Sequence, residues 1–148
     1  MSGGLIIPNA IFFSAVADRL AEGKSVIIPV KGYSMDPFIR NGRDSVELVP
    51  VNSFGVGDIV LARLANGDYV LHRVVSIKEE EVLLMGDGNI KGKEHTLKSR
   101  VVGVAKRIIQ GDRSVDCGSA SYLRKVKIWG KLLPVRRYIL AVYRRLVY

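Results

Sequence analysis

Two periodicities divide the chain. Residues 9–22, NAIFFSAVADRLAE, place Phe13, Val16 and Leu20 at helical spacing, which predicts a short amphipathic helix with one buried face. Asn9 after Pro8 suits its start and Gly23 its stop. From Lys24 to about Gln110 the alternation switches to period two. SVIIPV, DSVELVPV, DIVLARL, DYVLHRVVSI, EEVLLM and RVVGVAKRII read as short strands. Turn signals at Asn41-Gly42, Gly55 with Gly57-Asp58, Asn66-Gly67-Asp68 and Gly86 to Asn89 separate them. This pattern predicts a mainly β chain, a coiled antiparallel sheet or barrel. After Gln110 the alternation stops, and the small polar stretch Gly111 to Ala120 reads as a linker. Helical period returns from Ser121, with Pro134 suited to a first helical turn. Val135, Tyr138, Ile139, Val142 and Leu146 share one face there, with Arg136, Arg137, Arg144 and Arg145 broadly opposite. The expected organisation is an N-terminal helix in 1–24, a β domain in 25–110, a linker in 111–120 and a basic helical tail in 121–148.

Composition supports a folding chain. Hydrophobic residues make up 48% of 148, which is enough for one domain with a sizeable core. The single cysteine, Cys117, excludes an intramolecular disulfide and reads as a bystander. No window reaches the roughly 20 apolar residues of a membrane span. Two glycines stand where a signal peptide would carry positive charge, so the expected compartment is the cytoplasm, with the inner membrane face as a variant of it. Charge changes the picture of the tail. Residues 1–120 hold 15 Lys and Arg against 14 acids, whereas 121–148 hold 8 and no acid. A cationic amphipathic helix with Trp129, Tyr138 and Tyr143 fits a membrane interface. A terminal helix packed by its apolar face on the β domain is the next reading, and contact with nucleic acid the third.

Candidate chemistry centres on GYSMDP, Gly32 to Pro37, just after the first strand. Gly32 permits a positive φ and Pro37 restricts Asp36, so Ser34 sits in a turn held on both sides. A nucleophilic hydroxyl needs that exposure and fixity, although most such serines are ordinary turn residues. The chain offers two histidines. His95 lies among charges and reads as solvated. His72 shares a strand face with Val70 and Val74, where partial desolvation favours the neutral imidazole of a general base. A core histidine satisfied by a carbonyl is the competing reading. Asp87 in MGDGN either bonds its own turn or accepts the far N–H of His72.

Taken together, GYSMDPFIRNGRDSVEL, VGDIVLAR, DYVLHRVV and LLMGDGN resemble, in order, the box set of the type I signal peptidases and LexA-like autoproteases. The resemblance spans about Ser25 to Ile108. It implies the coiled β-fold of that superfamily, with Ser34 as nucleophile. His72 stands where bacterial members have lysine, an arrangement similar to the archaeal and endoplasmic-reticulum signal peptidases, and Asp87 then matches the third catalytic member. Gly32 replaces a serine that many bacterial members place in the oxyanion hole, so the hole would rest on the backbone N–H groups of Ser34 and Met35. The membrane anchor, the DNA-binding domain and the Ala-Gly self-cleavage site of family members have no counterpart here.

The expected function is thus a serine endopeptidase acting on a leader or signal-type peptide, without cofactor or metal. The substrate would add as a strand beside residues 26–33, against Ile28, Val30, Gly32 and Tyr33. The alternatives are an autoprotease and an inactive fold of this type that serves as a membrane- or nucleic-acid-associated binding module.

Overall fold

The computed structural model describes residues 9–148. Residues 1–8, with Pro8 and the two early glycines, lie outside them, as does the side chain of Asn9. The first helix, α1 (Asn9–Ala21), runs as the periodicity predicts, and Val16 and Leu20 are buried on its inner face. Gly23 follows at φ +86°, the left-handed turn that ends a helix.

Eight strands follow: β1 (Val26–Pro29), β2 (Asp44–Val49), β3 (Ile59–Arg63), β4 (Tyr69–Lys78), β5 (Glu81–Met85), β6 (Glu94–Leu97), β7 (Val101–Gln110) and β8 (Arg113–Asp116). They form one antiparallel sheet in the order β1-β2-β7-β3-β4-β5-β6, with β8 paired to β7, curled into a half-barrel. Register shifts at Glu47/Leu48, Leu61/Ala62 and Val74/Ser76 mark bulges, which bend strands and raise their twist. The run IVLA in β3 is buried on both faces. Ile59 and Leu61 join a core with α1, β1, β2 and β7, whereas Val60 and Ala62 join a second cluster with Val74, Val82 and Leu84.

Two strands escape the sequence pattern. The stretch 111–120, expected to be a linker, holds β8, which returns along β7 after a turn at Gly111. The charged loop around His95 holds β6, paired with β5. The tail comprises two helices, α2 (Ala120–Lys131) and α3 (Arg136–Val147), joined by a 3-10 turn at Leu133–Val135 that contains Pro134. The Ser119 hydroxyl caps α2 by accepting from Tyr122 N–H at 3.3 Å. Tyr122 and Trp129 of α2 are buried, with Tyr122 in the main core. α3 buries Arg136 and Leu140 and leaves its apolar stripe in solvent. Among the described residues no helix is long and apolar enough to cross a membrane.

Candidate active site

The Ser34 turn begins where β1 leaves the sheet. Val30 N–H still donates to Asp44 O at 3.0 Å, then Gly32 takes φ +93° and donates its N–H to Asn41 Oδ1 at 2.7 Å. A side chain at that φ would be strained, so the reversal depends on glycine. Beyond it Met35 and Ile39 are buried in the core and joined by an Ile39 N–H to Met35 O bond of 2.9 Å. Ser34 is thereby held half-buried between a reversal and an apolar anchor. Its hydroxyl has no hydrogen-bond partner among the described residues. The N–H groups of Ser34 and Met35 likewise donate to no acceptor there, the condition an oxyanion hole requires.

His72 stands in β4 opposite Val60 of β3, on the face of the second cluster. Its Nδ1 lies 2.6 Å from Glu94 Oε1. A carboxylate there holds the proton on Nδ1 and leaves Nε2 as the acceptor nitrogen, the tautomer of a general base. Register explains how Glu94 reaches the ring. Arg73 pairs with Met85 across β4 and β5, so the next position, opposite His72, is Gly86. Lacking a side chain, Gly86 leaves room between β4 and β6. A Cβ built on Gly86 would fall within 3.1 Å of both His72 Nε2 and the Ser34 carbonyl oxygen. The free nitrogen of His72 thus faces the Ser34 turn. Among the described residues the one sealed side-chain nitrogen without a partner is Arg136 Nε, so His72 Nε2 keeps a path to solvent.

Asp87 is not behind the His72 ring, and the expectation that it orients the base is corrected. Its carboxylate accepts from Arg73 Nε at 2.8 Å and Nη2 at 2.6 Å, a bidentate pair buried on both sides. Burial pulls the Arg73 pKa down, but the Asp87 charge and hydrogen bonds more than offset it and the net shift is upward. Arg73 also donates to Gly57 O and Tyr122 Oη and lies over the Phe38 ring at 5.1 Å. Asp87 is therefore a scaffold group. It fixes the glycine turn, whose Gly88 N–H donates to Ser34 O at 2.8 Å and ties the two loops together.

Expected substrate contacts are corrected in part. The side chains of Ile28 and Val30 are in the core and cannot line a pocket. The Val30–Asp44 bond sets the alternation, so Ile28 and Val30 turn their backbone toward β2 while Ile27, Pro29 and Lys31 turn theirs outward. Among the described residues β1 is an edge strand, and no backbone group pairs with that outward row. Gly32 and Tyr33 are exposed beside it, with Tyr33 edge-on against Tyr148 at 4.9 Å.

The end of the chain belongs to this site, which sequence reasoning missed. Arg144 Nη2 donates to Tyr33 O at 3.0 Å and Gly88 O at 3.2 Å, and its Nε donates to the buried Asp36 at 3.1 Å. Tyr148 Oη donates to Asp36 Oδ1 at 2.9 Å and accepts from Asn41 N–H at 3.0 Å. Arg40 Nη2 reaches Val147 O. One sign was readable: Asp36, two residues after Ser34, is an acid in a turn, and the tail holds cations without acids.

An apolar groove of about 410 Å³ opens between α2 and the β7–β8 hairpin, bordered by Phe38 and Tyr122, the residues that Arg73 stacks against. It belongs to the Arg73 side of the sheet and not to the His72 side. His95 is exposed on β6. Burial pushes the Cys117 thiol up to about 11. Among the described residues no cluster of three or more His, Cys, Asp or Glu could hold a metal ion. Comparison with protein-family models finds no match, and comparison with curated proteins finds none either.

Proposed function

We propose that the chain is a serine endopeptidase in which Ser34 is the nucleophile, His72 the general base and Glu94 the group that orients it. The observation that carries this reading is the approach of His72 Nε2 and the Ser34 carbonyl to one point at Gly86, with Nδ1 engaged by Glu94. The half-barrel and the order of its boxes further support a fold of the LexA and signal-peptidase type.

In acylation Ser34 Oγ attacks the scissile carbonyl while Nε2 takes its proton. The free N–H groups of Ser34 and Met35 supply donors for the tetrahedral oxyanion. Collapse breaks the C–N bond, and the imidazolium returns its proton to the departing amine. Water, deprotonated by the same nitrogen, then releases the acyl group and regenerates the hydroxyl. Asp87 has no part in these transfers. The peptide adds antiparallel or parallel to the open edge of β1, meeting the outward backbone of Ile27, Pro29 and Lys31. Pro29 offers only its carbonyl, which weakens the edge for indiscriminate pairing.

The test uses purified full-length protein and libraries of leader-type peptides with small residues before the scissile bond. Cleavage by the native chain should fall by several orders of magnitude in Ser34→Ala and in His72→Ala. Turnover that survives either substitution at the native rate rejects the assignment.

A further inference from the structure

We infer that α3 is a membrane-docking surface, which seats the protein on an anionic bilayer by the face turned away from the active site. This inference is independent of the peptidase reading. α3 makes contacts with the body through Arg136, Leu140, Arg144 and the Val147 carbonyl, so its apolar stripe points outward. Tyr138 is 66% exposed, Val142 60% and Leu146 82%, and Val135 and Ile139 are exposed with them. These positions recur at three- and four-residue steps and form one continuous strip along the helix. Leaving such a strip in water is unfavourable, so it requires an occupant.

Charge selects that occupant. Arg137, Ala141 and Arg145 form the row beside the strip, and Arg137 and Arg145 are exposed. Arg124, Lys125, Lys127 and Lys131 of α2 are exposed as well, and residues 121–148 contain no acid to balance them. A second copy of the chain would bring two cationic faces together. Nucleic acid would satisfy the cations but leave the apolar strip unused. Anionic lipid satisfies both, with apolar side chains entering the acyl boundary and arginines meeting headgroups. The inner face of the same helix holds the Ser34 turn through Arg144. A helix with its side chains is about 10–12 Å across, so docking would hold the site roughly that far above the headgroups.

The experiment is co-sedimentation of the full-length protein with phosphatidylcholine vesicles and with phosphatidylcholine–phosphatidylglycerol vesicles, alongside light-scattering mass determination. The native chain should sediment with the anionic vesicles, weakly with the neutral ones, and less as salt rises. Val142→Glu with Leu146→Glu lies wholly on the exposed face. It should cut the bound fraction at least tenfold while the circular dichroism melt is unchanged. Arg137→Glu with Arg145→Glu should remove the preference for anionic lipid. Ser34→Ala should bind as the native chain does, which separates this inference from the catalytic one. No sedimentation of the native chain, or binding indifferent to Val142→Glu with Leu146→Glu, overturns the proposal. A dimer that this double variant dissociates, without vesicle binding, also overturns it, in favour of self-association.

Discussion

His72 and Arg73 are neighbours in β4 and point to opposite faces, and each has its own carboxylate. Substitution therefore separates the two acids. Glu94→Gln should keep the fold but lose the carboxylate that fixes the imidazole tautomer. We expect turnover to fall by about 10²- to 10⁴-fold with little change in melting temperature. Asp87→Asn should do the reverse in kind, because it leaves a buried guanidinium without its counter-charge. Breaking a buried pair from one side costs about 3–5 kcal/mol, read as a clear drop in thermal midpoint. If Asp87→Asn abolishes cleavage at unchanged stability, the assignment of Glu94 is wrong. Gly86→Ala is the third probe at this scale. Its Cβ would collide with the Ser34 carbonyl, a backbone atom that cannot step aside, so the Ser34 turn must move. A loss of turnover larger than the loss of stability is the expected result. The turn around Ser34 and the strand around His72 were legible because period two and the glycine–proline punctuation are local. The pairing of acids with bases was not. The sequence contains one carboxylate between Asp87 and Asp112, Glu94, and only the β4–β5–β6 register puts it beside His72.

At the scale of elements, the strands with an alternating apolar face could be read, and those without one could not. β6 and β8 have four residues each, lie among charges and bury little, so their pairing owes more to neighbouring strands than to their own pattern. α3 shows a different limit. Helical period was visible, but the face that docks was not the apolar one, since Arg136 and Arg144 reach carbonyls and an aspartate that only the folded loops present. The last residue gives this docking a pH signature. Burial and the hydrogen bond to Asp36 push the Tyr148 phenol up to about 12 from its ordinary 10, against the opposing bond from Asn41 N–H. A raised phenol pKa means that the folded chain holds the proton longer than the unfolded chain does. The contribution is complete below pH 10 and is lost as pH rises through about 12. Tyrosinate absorbance should show a late step near pH 12, beside the still later one of the buried Tyr122, and proteolysis near the C-terminus should accelerate over that window. In Tyr148→Phe the step near pH 12 should vanish while that of Tyr122 stays; if the step near pH 12 persists, another tyrosine carries it.

For the whole molecule, the question is whether the tail is an appendage or part of the folding unit. The charge asymmetry at residue 120 sets the tail apart in composition, and the core argues that it belongs to the folding unit. Tyr122 lies in the main core, and its Oη accepts from Arg73 Nη2 at 2.9 Å beside Asp87. Trp129 is buried under Phe38, donates Nε1–H to Asp87 O at 2.9 Å and stacks under Arg136 at 5.0 Å. The glycine turn that touches Ser34 is thus held from one side by β4 and from the other by α2. Deleting one large buried aromatic costs about 3–5 kcal/mol. Losing two approaches the whole stability of a typical domain, about 5–15 kcal/mol. A chain ending at Ser119 should therefore show no cooperative melt, or one far below that of the full chain. Trp129 is the sole tryptophan, so its fluorescence reports the α2–Asp87 junction alone. In the full chain that signal and far-ultraviolet circular dichroism, which sees the sheet, should move through one shared transition. Separate midpoints, or a shortened chain as stable as the full one, would show that the helices fold apart from the site they brace.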